Sequence, residues 1–368
     1  MTSIVFTGDI AFSKYFAKSY EKKDLMDQEI VDFLQSSDHV VANIEAPVTA
    51  GDIKSERKLN HVNPPEAAET LLALNMDIWS LANNHVMDCQ EMGLRDTLDI
   101  AAKHHVRTLG AGFCKEEAAR FIELPESGGI GIFSVTYDRD FLKADTDKPG
   151  CITGEDLETI QANIAAIKSR NRWCVMVVHD GGEFSNMPMP FFRRRYLKYL
   201  DMGVDVIVGH HPHVVQNWEQ VGDKLIFYSL GNFVFDTDYQ RKQKYSEYGV
   251  LVKLHFTETA VTWEKQGTCV DRENNRIVAC DPPAIFTGLN QKAYLRLWPL
   301  GAVNYCRTDR MAGIWLKPEK AKYGALRWLW DDIGFHGFWP ALEMLWGRTL
   351  ARLGLWKKAN PDVVNYLK

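Results

Sequence analysis

The sequence predicts a layered α/β fold. Two observations carry that expectation. Short, continuous runs rich in Val and Ile alternate with helix-patterned segments along the first two-thirds of the 368 residues, and polar residues able to bind a metal stand at the carboxyl ends of five of those runs. Apolar runs without in–out alternation are the pattern of strands covered on both faces. Strands of that kind alternating with helices build layered α/β architectures.

The strand candidates, in order, are SIVFTG from Ser3, HVVANI from His39, DIWSLA from Asp77, GIGIFSV from Gly129, WCVMVVH from Trp173, DVIVG from Asp205 and KLIFYSLG from Lys224. The segment TGEDLETIQANIAAIKS carries a capping-box pattern, Thr153 followed by Asp156, and repeats apolar residues at Leu157, Ile160, Ile164 and Ile167; it predicts a helix. The polar, turn-rich stretch from Ala50 to Pro65 predicts a long loop, and loops of that length are usually functional or mobile. After YGVLVKLHF, the stretch AVTWEKQGTCVDRENNRIVACDPP predicts a hairpin turning at Asn274 and Asn275.

The C-terminal segment differs. It holds Trp328, Trp330, Trp339, Trp346 and Trp356, with Phe338, Leu342, Leu345 and Leu353 on one helical face and Arg348, Arg352, Lys357 and Lys358 on another. A basic amphipathic helix either packs on the body of its own protein or lies against a membrane surface or a protein partner. The expected division is a body over 1–285 and a largely helical, Trp-rich extension over 286–368.

Composition narrows the function. The hydrophobic share of 46%, charged share of 25% and net charge of −5 are those of an ordinary globular protein and argue against a nucleic-acid surface. Seven scattered cysteines without a C-x-x-C pair suggest neither a disulfide framework nor a zinc knuckle. The start, MTSIVFTGDI, has no basic region, long apolar region or cleavage site, and no segment approaches the roughly 18 apolar residues of a membrane span. The expected location is cytoplasmic, with peripheral contact at the inner membrane face through the tail.

The chemistry is concentrated at strand ends. GHHPHVVQNWE, from Gly209 to Glu219, places three of eleven histidines within four positions directly after an apolar run. Imidazoles packed so densely need hydrogen-bond partners or a cation. Asp9 ends the first run, Asn43 and Glu45 the second, Asn83, Asn84 and His85 the third, and His179 a fourth. Taken alone, each reads as a turn, a core histidine or a strand end. Together they converge, because ligand crevices in layered α/β folds lie outside the carboxyl ends of the strands. The mixed nitrogen and oxygen donors suit Mn²⁺, Zn²⁺ or Fe²⁺. Which two of His210, His211 and His213 face the ion stays open. Arg193, Arg194 and Arg195 in FFRRRYLKYL either attract an anionic substrate or form a solvated helix face. GAGF at Gly110 is only a fragment of a dinucleotide motif, and neither a P-loop nor a G-x-S-x-G elbow is present.

The set GDI at Gly8, NIEAPVT at Asn43, LANNHVMD at Leu81, HDGGEF at His179, GHHPHVVQ at Gly209 and YSLGNFVFD at Tyr228 resembles the CapA family, the poly-γ-glutamate capsule-biosynthesis type of protein. The family's fold belongs with the calcineurin-like metallophosphoesterases, and the resemblance spans roughly residues 1 to 255. It implies a β-sheet sandwich flanked by helices, holding one or two divalent ions. It places Asp9, Glu45, Asn84, His179, His211 and His213 at metal-ligand positions, with Glu45 where a bridging Asp is usual. His210 is then a further ligand or a support to the ligands. His85 falls where those enzymes keep a general acid, and Asp9 and His85 make up the catalytic pair. Asn232, Glu183 and Gln216, with Asn83, fall on the substrate side. The chain departs from the pattern at Ala11, where phosphoesterases usually carry His, and at Asp180, where Trp is common. Members acting at the cell surface tend to carry a membrane-anchoring N-terminus, and the opening MTSIVFTGDI leads us to expect none here. The function implied is a metal-dependent hydrolase acting on a phosphoester, or on an amide or ester in an anionic polymer or peptide. A metal-assisted acid–base enzyme such as a peptide epimerase uses the same parts. A non-catalytic accessory subunit of a polymer synthase, docked through the Trp-rich tail, is the third reading.

Overall fold

A computed structural model describes residues 1–52, 60–137, 139–188 and 190–290, together with Tyr294. Apart from residues 286–290 and Tyr294, the extension expected over 286–368 lies outside the described residues, as do residues 53–59 of the long loop. In chain order the first half forms β1 (Thr2–Ile10), α1 (Gln28–Gln35), β2 (His39–Ile44), α2 (Ala67–Ala73), β3 (Ile78–Ser80), α3 (Gln90–Lys103), β4 (Arg107–Leu109), β5 (Ala111–Gly112), α4 (Lys115–Ala118), β6 (Ile122–Leu124) and β7 (Ile130–Thr136). The second half forms β8 (Gly150–Cys151), α5 (Leu157–Lys168), β9 (Trp173–His179), α6 (Pro190–Met202), β10 (Val206–His210), β11 (Trp218–Val221), β12 (Lys224–Phe227), β13 (Asn232–Val234), β14 (Tyr248–Phe256), β15 (Val261–Asp271) and β16 (Arg276–Cys280).

These strands build two principal sheets. One runs β16-β15-β14-β1-β2-β3-β4, with β13 joining β1 in parallel; the other runs β11-β12-β10-β9-β7-β6. The inner faces meet in one core, where Ile4, Phe6, Val41 and Ile78 of the first sheet pack with Ile132, Val175, Val177 and Val208 of the second. The outer face of the first sheet, through Val5, Val40, Ala42 and Trp79, is covered by Ile30, Leu34, Leu71 and Leu94 of α1, α2 and α3. The outer face of the second, through Phe133, Cys174, Met176 and Ile207, is covered by Ile160, Ile164 and Ile167 of α5 and by Tyr196 and Tyr199 of α6. Burial on both sides is why WCVMVVH reads as one unbroken apolar run: all seven residues of β9 are buried, each large aliphatic contributing about 1.5–3 kcal/mol. The layered α/β sandwich flanked by helices is thus the observed architecture.

Two local expectations are refined. The hairpin turns at Asn274 and Asn275 as the sequence indicated, with Asn275 at φ 49°. The helix from Leu157 is capped differently. Asp156 is the N-cap, its carboxylate accepting from the Thr159 N–H at 3.2 Å and the Thr159 hydroxyl at 2.9 Å. Thr153 lies further back, bridged in parallel to Thr136. A carboxylate is a good cap acceptor and needs no second residue to complete the turn.

The topology brings the polar strand ends together. β1, β2 and β3 run parallel, as do β7, β9 and β10, so their carboxyl ends share one rim. Close backbone approach tightens that rim: a Cβ on Gly209 would lie 2.2 Å from the Tyr228 carbonyl oxygen, and one on Gly8 2.5 Å from that of Gly231. Among the described residues no helix is long and apolar enough to cross a membrane, and the described cysteines are all free.

Candidate metal centre

Asp9, the next-to-last residue of β1, is fully buried between β2 and β13, in register with Asn43 and Asn232. Its Oδ1 accepts from Asn43 Nδ2 at 2.8 Å and faces His210 Nδ1 at 3.1 Å, and its Oδ2 lies 3.2 Å from His213 Nδ1. Glu45, directly after β2, is also fully buried, with Oε1 3.5 Å from both His179 Nε2 and His213 Nε2. His179 ends β9; its Nε2 meets Asn84 Oδ1 at 2.8 Å and its Nδ1 meets Asn43 Nδ2 at 3.2 Å. His211 packs on His179, with ring centroids 5.0 Å apart, and on Tyr137 at 4.9 Å.

The donors fall into two groups that share Glu45. Ligand atoms of Glu45, His179 and His211 lie within 4.8 Å of one another, and so do those of Asp9, Glu45 and His213. Of the three clustered histidines, His211 and His213 therefore enter the donor groups, while His210 stands against Asp9 from the adjoining strand. His211 and His213 adopt left-handed backbone angles, φ 92° and 55°, on either side of Pro212. Such conformations cost free energy in non-glycine residues and cluster at functional sites. Here they turn both imidazoles to the same rim.

Electrostatics match this geometry. Burial, reinforced by neighbouring imidazoles, holds His179 and His211 well below the ordinary histidine range, so both are neutral, the form that ligates. Burial alone would raise the Asp9 carboxyl, but hydrogen bonds and charge from His210 and His213 hold it well below the usual range. For His213, burial works against charge, and the hydrogen bond and charge of Asp9 overcome it and raise the imidazole. His211 Nδ1 is buried without a hydrogen-bond partner among the described residues, a cost a native fold seldom leaves uncompensated. The donor set thus fits a divalent cation: the neutral imidazoles of His179 and His211, the His213 imidazole, whose proton a bound cation would displace, two carboxylates and an amide oxygen.

One side of the site is built around His85. Its Nδ1 lies 2.7 Å from Asp88 Oδ2, and its backbone N–H donates to Asn83 Oδ1 at 3.1 Å. Asp88 Oδ2 also accepts the backbone N–H of His61 at 2.8 Å, and the His61 ring stands edge-on to His85 at 4.5 Å. Burial, then the neighbouring His85, pushes His61 down to about 2, so it is neutral. Sequence reading did not single out His61, Asp88 or Tyr137. For His61 the available signal was its place in the long polar loop, and for Asp88 its spacing of three residues from His85.

The positions expected on the substrate side are placed as follows. Asn232 is buried in the centre, its Oδ1 3.0 Å from His213 Nδ1 and its Nδ2 donating to the Ser246 carbonyl at 2.8 Å. Asn83 donates to the Ile44 carbonyl at 2.7 Å, and Gln216 to the Ser185 carbonyl at 2.6 Å. Their amides brace loops of the site. Glu183 is half-buried, close enough for its charge to act on His213. Ala11 packs with Ala46 and Phe235 in a small apolar cluster. Asp180 pairs with Arg195 Nη1 at 2.6 Å, and the same guanidinium contacts Glu155. Arg193 grips Glu219 through two hydrogen bonds at 2.6 and 2.9 Å. Two of the three clustered arginines are therefore internal ion-pair partners, and Arg194 is exposed.

Residues 3–237 match the family described as "Bacterial capsule synthesis protein PGA_cap". The chain is 31% identical over 302 residues to "PGA biosynthesis protein CapA" of Bacillus subtilis (strain 168), covering 80% of this chain and 77% of that protein. It is 28% identical to "Capsule biosynthesis protein CapA" of Bacillus anthracis, covering 70% of this chain and 64% of that one. A "Probable polyglutamine synthesis accessory protein" of Mycobacterium tuberculosis (strain ATCC 25618 / H37Rv) is 24% identical, over 55% of this chain and 56% of that protein.

Proposed function

This chain belongs to the bacterial capsule synthesis protein PGA_cap family, and from that premise we propose that it is a metal-dependent hydrolase cleaving a bond in poly-γ-glutamate or a related anionic polymer or peptide. The observation that carries the reading is the membership of Glu45 in both three-donor groups. A single carboxylate shared in this way is what a pair of ions about 3.5–4 Å apart requires.

Asp9, Glu45, Asn84, His179, His211 and His213 would hold the ions, Mn²⁺ or Zn²⁺ or Fe²⁺. When bound, they supply Lewis acidity and lower the pKa of a water toward neutrality. The other tasks fall to the chain itself. Asn43 and His210 fix the Asp9 carboxylate. Asp88, accepting a hydrogen bond from Nδ1–H of His85, would support the doubly protonated ring, whose opposite nitrogen gives its proton to the leaving atom as general acid and leaves His85 neutral. Neutral His61 and the apolar ring of Phe235, 4.9 Å from it, limit water on that side.

The test is a purified protein assayed for bound metal and for cleavage of γ-linked glutamate oligomers and phosphodiesters. The expected result is a transition metal at about two ions per chain and cleavage that falls about 10²–10⁴-fold in His85→Ala with metal content unchanged. No bound metal, together with no cleavage after adding Mn²⁺ or Zn²⁺, overturns the proposal. Metal retained without cleavage moves the assignment to an accessory role, which the name of the mycobacterial relative favours. Solvent deuterium entering a substrate α-carbon without cleavage moves it to an epimerase.

A further inference from the structure

A row of rings crosses the centre from side to side. His61 stands 4.9 Å from Phe235, Phe235 5.2 Å from His213, His213 6.0 Å from His211, and His211 4.9 Å from Tyr137. A cation stands at each end. At the Tyr137 end, the guanidinium of exposed Arg139 lies over the ring, 5.3 Å from its centroid. This loop is tied to the ligand strand, because the Tyr137 N–H donates to the His179 carbonyl at 3.1 Å. At the His61 end, the Ser13 hydroxyl lies 2.9 Å from His61 Nδ1, and the next residue, Lys14, is exposed in a left-handed conformation at φ 53°. The Lys14 charge is felt at the His61 ring. A bulky non-glycine residue seldom adopts that backbone, and strain of this kind gathers at functional sites. Of the ten described non-glycine residues with such angles, His211 and His213 stand in the centre itself, Phe184 packs on His213 at 5.9 Å, and Lys14 follows Ser13, which meets His61.

On the reading of the site given above, we propose that Lys14 and Arg139 form a two-pronged rim that binds carboxylates of a polyanionic chain on either side of the bond to be cleaved. The two prongs differ in chemistry. A guanidinium already oriented by a ring offers a planar fork to a carboxylate, whereas an ammonium on a flexible stem acts as a point charge. The chain as a whole is acidic, with net charge −5, so attraction of a polyanion has to come from local cations. The charge of Glu183 reaches His213 and opposes an anion there.

The test is calorimetric titration of the full chain with γ-linked tetraglutamate and with its α-amide counterpart, with and without added Mn²⁺. Wild type, Lys14→Gln, Arg139→Gln, the double variant and Glu183→Gln are compared, with metal content read separately by elemental analysis. The expected result is about a tenfold loss of tetraglutamate affinity in each single variant, more in the double variant and a gain in Glu183→Gln, with the amide counterpart weak throughout. Affinity that is absent in wild type, or unchanged in the double variant, overturns the rim. Metal content answers for the centre itself, so a chain that binds metal but fails the titration sinks this inference alone.

Discussion

Asp180 shows how much a single position is settled by contacts the sequence does not display. From its place beside His179 it could ligate, orient its neighbour or face water; the fold instead pairs it with Arg195, fifteen positions further along the chain on α6. Burial raises the Asp180 carboxyl despite the opposing guanidinium, so it depends on that partner. Replacing Arg195 with Met leaves a buried carboxylate uncompensated and is expected to cost about 3 kcal/mol or more, read as a lower midpoint in chemical denaturation. A change within a few tenths of a kcal/mol would contradict the assignment. A second residue-scale prediction concerns Asp77, half-buried at the amino end of β3. Burial works to raise its carboxyl, but hydrogen bonds from His39 and the Val40 N–H, with Arg107, hold it below the usual range. A depressed acid contributes stability that is present above its unfolded value of about 3.9 and is lost as pH falls through the lower folded value. Asp77→Asn should therefore flatten the acid limb of the stability profile and lower stability near neutrality; a limb identical to wild type would contradict this. The ligand types were legible because each is named by its own strand end. His61, Asp88 and the partners of Asp180 were not, because their roles are set by contacts formed only on folding, such as the hydrogen bond from His61 to Asp88 across a separation of 27 positions.

At the scale of elements, the long strands were readable for a physical reason. A strand covered on both faces must be largely apolar, and the runs Ile4–Phe6 of β1, Ile130–Phe133 of β7, Trp173–Val178 of β9 and Val206–Val208 of β10 are. Of the three-residue strands, β3 was legible because it sits in the longer apolar run DIWSLA, whereas β4, β6 and β13 have no such run around them; β13 is held in place by pairing with β1. The helix cap was misplaced by one partner, since both Thr153 and Asp156 satisfy the local rule and only tertiary placement decides between them. Asp156→Ala is accordingly expected to cost about 1 kcal/mol, with Thr153→Ala costing less, measured by thermal unfolding. The reverse order would restore the capping box. Gly209 joins element to site. Its added Cβ would meet a backbone carbonyl that cannot swing away, so Gly209→Ala should displace the end of β10 and with it His210 and His211. The expected readout is loss of metal affinity beyond any loss of stability; wild-type metal affinity would show that β10 and β12 can part without disturbing the histidines.

For the whole molecule, the arrangement explains why residues from six separate strands or the turns directly after them, spread between Asp9 and Asn232, are delivered to one place. Two sheets pack face to face with their parallel strands ending at a common rim, and the helices cover the outer faces and leave that rim to polar side chains. Because the donors come from both sheets, a cation there ties the sandwich together. Binding to the folded state alone stabilises it by about 2.7 kcal/mol at a free concentration of 100 times Kd, so chelation should lower the unfolding temperature and re-addition of metal should restore it. An unfolding temperature indifferent to chelator would contradict a centre spanning the sheets. The central claim, that Glu45 is shared between two cation positions, is tested most directly by crystal diffraction with anomalous scattering at the metal absorption edge. The expected result is a pair of peaks on opposite sides of the Glu45 carboxylate, one touching His179 and His211 and the other touching Asp9 and His213. Peaks that do not touch Glu45, or none in crystals grown with Mn²⁺ or Zn²⁺, would contradict it.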